Sequence, residues 1–306
     1  MILKLADKPE LLRRVEDREG YSIPAPRLLA DLRVQCRIRG RHLRRPVATL
    51  LYDTDWTAFV GRVYGPPGGR TVLGGLALSF YDQACDVVRS IYDRRIDTPA
   101  ILDPDLYFPD AARFKDRWQD IRRDALTIRG NLDKVPRFHE IMGSQSDISA
   151  VDVRDWRMFI LKAYGVEIEQ NVKRCPAIAS LIKDQTDIVS CVLSFLAPGK
   201  HLPKHRGPFR GILRFHLMLS MPSDADGRPA CVMDVDGEEY RLADGETLLW
   251  DDTYPHEVWN RSDEVRVALL LDVWRRNMPK DMEMLSRLVI GGVGLRMRMG
   301  GISYGG

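Results

Sequence analysis

Near residue 188 the spacing of apolar residues changes, and that change limits the chain to a few architectures. Upstream, apolar positions recur every three or four residues; downstream they alternate with polar ones. Alternation puts successive side chains on opposite faces of a pleated strand, whereas the longer spacing marks one face of a helix. Seven strand-like runs follow, at residues 188–196, 212–221, 230–235, 238–242, 246–250, 256–260 and 265–273. Turn sequences separate them at 222–229, at Asp236-Gly237, at Ala243-Asp244-Gly245 and at Arg261-Ser262-Asp263. Asp-Gly between two β-runs is a strong hairpin signal, because both residues tolerate the positive φ of a tight turn. Short strands at this spacing predict an all-β sandwich or barrel.

The remaining chain is organised around that core. Residues 1–70 are an N-terminal extension of unknown role that ends in the loop sequence Gly65-Pro66-Pro67-Gly68-Gly69. Residues 71–185 read as a helical region supporting the barrel, 186–276 as the β core and 277–306 as a C-terminal tail. In the helical region Leu73, Leu76, Ala77, Phe80, Ala84, Val88 and Ile91 share one face. A second helix is expected from Asp110 as N-cap. Phe114, Trp118, Ile121 and Ala125 line its buried face, and Lys115, Asp116, Asp120, Arg122 and Arg123 fill the other. Trp118 reads as a core anchor. The tail spaces Leu285, Leu288, Val289 and Leu295 around Gly291, Gly292 and Gly294. Each interior glycine costs a helix about 1 kcal/mol, so a docking segment is expected there in preference to a long stable helix.

Composition narrows the function classes. The 306 residues are 44% apolar and 29% charged, an ordinary soluble globular balance. A net charge of +3 does not call for nucleic acid, and none is expected as a partner. Positive charge is concentrated in residues 33–45, where Arg33, Arg37, Arg39, Arg41, Arg44 and Arg45 stand with no acid among them. That run is either a solvated basic face or a contact for an anionic surface or substrate. Five cysteines, Cys36, Cys85, Cys175, Cys191 and Cys231, are widely spaced without a Cys-x-x-Cys pair. They argue against a disulfide scaffold or zinc knuckle and fit a reducing, cytoplasmic setting; Cys191 reads as a buried small hydrophobe. No run of about 18 apolar residues exists, and no signal peptide or membrane span is expected. The sequon Asn260-Arg261-Ser262 is discounted as a chance match.

The chemistry-bearing residues cluster in the β core. Alternation in 213–219 puts Leu213, Phe215, Leu217 and Leu219 on one face, and Arg214, His216 and Met218 on the other. An inward arginine needs a partner, because an unpaired buried charge costs several kcal/mol. That partner is a dicarboxylate ligand or a protein carboxylate. Arg266 repeats the pattern inside the apolar run 265–271, with a surface pair to Asp263 or Glu264 as the alternative. His205 and His256 stand at strand edges and are candidate metal ligands, against the alternative of ordinary loop or core histidines. His201 and His205 have the spacing of a helical zinc pair, but Pro198, Gly199 and Pro203 forbid that helix. The position two residues after His205, where a facial triad carries its carboxylate, is Gly207. Either Asp251 or Asp252 substitutes, or the protein supplies two ligands and water completes the set.

At these residues the chain resembles the aspartyl/asparaginyl β-hydroxylase family of iron(II)- and 2-oxoglutarate-dependent dioxygenases. The matching pieces are Pro198-Gly199 with His201, His205 with Gly207-Pro208, Leu213-Arg214 with His216-Leu217, Asp251-Asp252 with His256-Glu257-Val258-Trp259-Asn260, and Arg266 with Asp272-Val273-Trp274. They keep the family's order and spacing over about residues 108–274. The resemblance implies a mainly β double-stranded β-helix, a cupin-like jelly roll, with an α-helical N-terminal region. It implies that His205 and His256 bind Fe(II) and are the catalytic centre, and that Ser194, Arg214, His216 and Arg266 hold 2-oxoglutarate, with O2 as oxidant. The family is known to dispense with the carboxylate ligand, which accommodates Gly207. The motif region is most similar to the bacterial branch that hydroxylates acyl chains of lipid A and ornithine lipids, as is the run from Tyr92 to Pro99. Members acting on lipid A carry an N-terminal membrane segment, and no such segment is recognised here.

The expectation is therefore a hydroxylase of an unactivated C–H bond in a fatty-acyl chain, cytoplasmic and peripheral at the inner membrane. The alternatives are β-hydroxylation of an Asp or Asn residue in a peptide, and a non-catalytic metal-binding jelly roll. Arg214, His216 and Arg266 beside both histidines speak against the last, since a bare metal binder needs no dicarboxylate clamp.

Overall fold

The computed structural model describes residues 33–38, 41–46, 85–86, 88–142 and 145–300, with side chains described from residue 85 to 295. The expected helical positions Leu73, Leu76, Ala77, Phe80 and Ala84, and the loop at 65–69, lie outside the described residues; 88–93 are helical. The chain divides into two units, Met1–Ala77 and Leu78–Gly306. In the first, β1 (Arg33–Ile38) and β2 (Arg41–Pro46) form an antiparallel hairpin in register Arg33↔Pro46 through Ile38↔Arg41. The described part of the acid-free arginine run, residues 33–38 and 41–45, is thus a two-stranded ribbon.

The second unit carries β3 (Trp156–Ala163), β4 (Val166–Glu167), β5 (Ile188–Leu196), β6 (His201–His205), β7 (Ile212–Ser220), β8 (Cys231–Val235), β9 (Glu238–Tyr240), β10 (Thr247–Trp250), β11 (His256–Asn260) and β12 (Arg266–Trp274). They make two antiparallel sheets, ordered β10-β7-β12-β5-β3-β4 and β6-β11-β8-β9. From β5 onward the chain alternates between the sheets, with the β8–β9 hairpin as one visit to the smaller. This exchange is a double-stranded β-helix, a cupin-like jelly roll.

The alternation read from sequence decides which layer each residue joins. Leu213, Phe215, Leu217 and Leu219 of β7, Leu193 and Phe195 of β5, and Leu269, Leu271 and Val273 of β12 face outward from the barrel. They pack under α1 (Ala111–Asp116), α2 (Trp118–Arg129) and α4 (Pro176–Ile182), which follows the short α3 (Glu169–Val172), through Phe114, Ile121, Ala125, Ile128, Ile178 and Ile182. Helix packing on the outer face leaves the inner face to carry polar side chains. Asp110 does precede the first helix, but Arg117 splits the expected helix into α1 and α2. Trp118 is half-buried at the edge of this cluster and not a fully enclosed anchor.

Four elements depart from the sequence reading. β3 and β4 lie within the span read as helical, and β3 pairs with β5 inside the large sheet. Its residues are buried on both faces, and a register shift between Ile160 and Lys162 breaks the period of two. β6 was not foreseen because Pro203 sits within it. The tail forms one helix, Lys280–Gly300, here termed α5. Its glycine has a packing reason: a Cβ on Gly294 would meet the Tyr164 carbonyl oxygen at 2.5 Å. Close docking, with Ser286 and Ile290 buried, overrides the propensity penalty. Among the described residues no helix is long and apolar enough to cross a membrane.

Phe215 is fully buried at the meeting point of the barrel and the helical layer, in edge contact with Phe108 at 5.4 Å. Phe215→Ala is expected to lower stability by about 3–5 kcal/mol, read as a fall in denaturant midpoint at constant m-value.

Candidate metal and co-substrate site

His205 reaches the barrel interior because β6 contains a bulge. The register against β11 is His256↔His205 but Val258↔Leu202, so three steps on β6 oppose two on β11. Without the extra residue, the period of two would put Leu202 and His205 on opposite faces. With it, both face inward: Leu202 beside Val258, and His205 beside His256 with ring centroids 4.0 Å apart. β11 alternates regularly, burying His256, Val258 and Asn260.

The two rings are held in the same way. His205 Nδ1 lies 2.7 Å from Pro203 O, and His256 Nδ1 lies 2.9 Å from Tyr254 O. A carbonyl accepts only, so each Nδ1 carries the proton and each Nε2 keeps its lone pair. Burial lowers the pKa of both; that of His256 falls well below the usual range, helped by the neighbouring His205. Two neutral imidazoles with tethered Nδ1–H groups and free Nε2 atoms are a suitable pair of metal donors. Among the described residues no group of three or more His, Cys, Asp or Glu side chains could hold a metal.

Asp252 explains why position 207 is glycine. A Cβ there would meet Asp252 Oδ1 at 2.2 Å and Cγ at 2.3 Å. The Asp252 carboxylate fills the space that a residue-207 side chain would need, and its backbone oxygen accepts from Gly207 N at 2.6 Å. Burial pushes its pKa up to about 6, against the Arg214 charge 3.3 Å away. Asp251 is fully buried and accepts from Arg210 and Arg275, which makes it a structural hub. Neither aspartate completes a triad with the histidines.

The inward arginines meet different fates. Arg214 donates through Nε and Nη2 to Asp272 Oδ1 at 3.0 and 2.9 Å, and also faces Asp252. It has the protein-carboxylate partners that were the alternative to a ligand. Arg266 has none. It is 5% exposed, its Nη1 lies 3.4 Å from Ser194 Oγ, and its other neighbour is the Cys231 thiol. Burial lowers its pKa with no carboxylate to offset the effect. The proposed surface pair with Asp263 or Glu264 is absent, because the guanidinium points into the barrel. Ser194 Oγ also accepts from Trp156 Nε1 at 2.9 Å, which leaves its own proton to donate. His216 is buried with its ring edge-to-face on Trp250 at 5.4 Å, and Trp250 packs likewise on His256 at 4.6 Å. Thus His205, His256, Arg214, His216, Ser194 and Arg266 all line one interior.

His201 does not join them. It stacks on Trp259 at 5.2 Å and bonds to Glu257 at 2.6 Å. The run from Tyr92 to Pro99 is structural: Tyr92 OH meets Ser286, Asp93 pairs with Arg210, and Thr98 O accepts from Tyr254 OH. The sequence reading gave no site role to Asp272, Cys231, Trp156 or Lys200. Asp272 was detectable, since it shares the face of Arg266 along β12. Lys200 is fully buried and bonds Ser149 O and Asp152, fixing the segment that flanks β6. Asn260 is buried with its amide donating to Leu196, Ala197 and Glu264 carbonyls, so the sequon is occupied by structure. Cys175, Cys191 and Cys231 are free and buried, and Cys85 is buried.

The profile of the family described as aspartyl/asparaginyl β-hydroxylase matches residues 115–276. An ornithine lipid ester-linked acyl 2-hydroxylase of Rhizobium tropici is 38% identical over 160 residues, 50% of this chain and 55% of that protein. The human aspartyl/asparaginyl β-hydroxylase is 29% identical over 175 residues, 53% of this chain and 22% of that protein. The chain therefore spans about half the length of the first relative and far less of the second. A cupin domain of a transcriptional regulator from Enterobacter cloacae has a TM-score of 0.24 at 21% identity, covering 28% of this chain and 82% of that one.

Gly207→Ala is expected to displace Asp252 from Arg214 and to destabilise the protein by about 1–3 kcal/mol. In an Asp252→Ala background the same change should lose most of that effect, so a double-mutant cycle by chemical denaturation should show strong coupling.

Proposed function

Because the chain belongs to the aspartyl/asparaginyl β-hydroxylase family, we propose that it is an iron(II)- and 2-oxoglutarate-dependent hydroxylase acting on a fatty-acyl chain of a lipid. The observation that carries the co-substrate reading is Arg266, a buried guanidinium without a carboxylate partner among the described residues. A buried cation is strongly unfavourable unless paired, and its planar fork suits a carboxylate. Ser194 beside it offers a hydroxyl proton to the same anion. A dicarboxylate with one end on Arg266 and Ser194 would extend toward the two histidines.

His205 and His256 would hold iron(II) through Nε2, with their Nδ1–H groups kept on backbone carbonyls. Bound iron with 2-oxoglutarate and O2 supplies the oxidising power to insert oxygen into an unactivated C–H bond, chemistry no side chain performs. The protein's own contribution is placement. Arg266 and Ser194 fix the far carboxylate, and Arg214, held by Asp272, adds fixed positive charge to the same interior. His216, whose pKa burial and two arginines push well below the usual range, stays neutral beside them. The apolar walls from Leu196, Leu202, Met233 and Val258 exclude water.

The acyl-lipid substrate rests on similarity to the Rhizobium acyl hydroxylase, which exceeds that to the mammalian peptide hydroxylases. The arginine-rich hairpin β1–β2 would meet anionic headgroups at a cytoplasmic membrane surface. β-Hydroxylation of an Asp or Asn residue is the second reading, drawn from the mammalian relatives.

Succinate release from 2-oxoglutarate with iron should rise on adding acyl-lipid vesicles and not on adding Asp- or Asn-containing peptides. The opposite pattern assigns the chain to the peptide reading. Arg266→Ala should weaken 2-oxoglutarate binding by roughly 10- to 100-fold while leaving metal affinity unchanged, as measured by titration with each.

A further inference from the structure

A second polar cavity lies where the start of β5, the ends of β3 and β12, and α5 meet. Its volume is about 640 Å³, within the range of small-ligand pockets. Lys162 lines it and is 7% exposed. The ammonium donates to Gln185 O at 2.9 Å, and among the described residues no carboxylate lies within ion-pair distance of it. Burial lowers its pKa, and Glu167 opposes that shift from further away. An ammonium has three donors, so most of its bonding capacity is unfilled by protein groups.

The other charges around the cavity are mixed. Arg287 lies over the Trp274 ring at 5.2 Å and is steadied by Glu283 at 2.9 Å. Glu167 and Asp184 bring negative charge, and Ile188 and Ile290 give apolar wall. Two cations and two anions oppose a ligand of one sign and match one that carries both. The cavity also adjoins the site already described. Trp274 is two residues beyond Asp272 on β12, about 6–7 Å along the strand, and Asp272 holds Arg214.

We propose that this cavity binds an α-amino-acid zwitterion, with its carboxylate on Lys162 and its ammonium toward Glu167 and Asp184. The zwitterion is either a free amino acid or the headgroup of the lipid substrate; only the headgroup version rests on the function proposed above. In that version the cavity sets which lipid is accepted, because it holds the headgroup while the acyl chain enters the barrel.

Calorimetric titration of the metal-free full chain with free lysine, acetate and butylamine tests the recognition chemistry. Lysine should bind at least about tenfold more tightly than either single-charge probe, and Lys162→Met or Glu167→Gln should each weaken it about tenfold. Lys162→Met keeps the side-chain length and removes a buried charge, and Glu167 is exposed, so both variants should fold, as checked by denaturation. No lysine binding at millimolar concentration, or equal binding in the variants, overturns the proposal. Turnover with vesicles of an amino-acid-headgroup lipid then identifies the source. A raised KM at unchanged kcat in both variants assigns the cavity to the headgroup. An unchanged KM alongside weakened lysine binding assigns it to a free amino acid. Lysine binding without hydroxylation of any lipid removes the lipid reading and leaves the cavity's assignment standing.

Discussion

A guanidinium buried in the barrel with no carboxylate beside it among the described residues is the constraint around which this structure is organised. Arg266 enters on β12 among Ala268, Leu270 and other apolar residues, where isolated charge is strongly unfavourable. Its protein neighbours, Ser194 and Cys231, are neutral. Arg214, on the adjacent strand and the same face, has its charge matched by Asp272 and Asp252. One arginine is thus matched by protein carboxylates, and the other is not matched by any among the described residues. That contrast is the basis for proposing Arg266, in preference to Arg214, as the anchor of an anion.

The fold makes that arrangement sustainable. The large sheet buries its apolar alternates against helices, so its inner face need not supply the main core. A bulge in β6 then turns His205 inward opposite His256, and backbone carbonyls fix both tautomers. Asp252 fills the place of a side chain at 207, so that position offers no carboxylate of its own beside the histidine pair. These features are interdependent: the bulge sets the histidine, the missing Cβ admits Asp252, and Asp252 helps to hold Arg214.

Most of the barrel was legible because strands with one face on a helical layer and one on a polar interior alternate cleanly. β7 is the clearest case, with Leu213, Phe215, Leu217 and Leu219 separated from Arg214, His216 and Met218. Legibility failed where that condition failed. β3 is buried on both faces and shifts register, so its sequence lacks alternation. β6 contains Pro203, which reads as a turn unless the bulge is known. α5 keeps glycine inside a helix because the Tyr164 carbonyl passes too close for a side chain. In the site, residue types and strand alternation singled out the histidines and arginines as candidates, and the family resemblance supplied their expected roles. They could not say which arginine had a protein partner, since Asp272 and Asp252 meet Arg214 only through tertiary packing.

The claim that Arg266 awaits the far carboxylate of a dicarboxylate can be tested on the unmodified protein. Titration with 2-oxoglutarate and with 2-oxopentanoate, which lacks that carboxylate, in the presence of one redox-inert divalent metal isolates the contact. The account predicts that 2-oxoglutarate binds at least about tenfold more tightly, the worth of one charge-assisted, desolvated pair. Equal affinities for the two acids would contradict it.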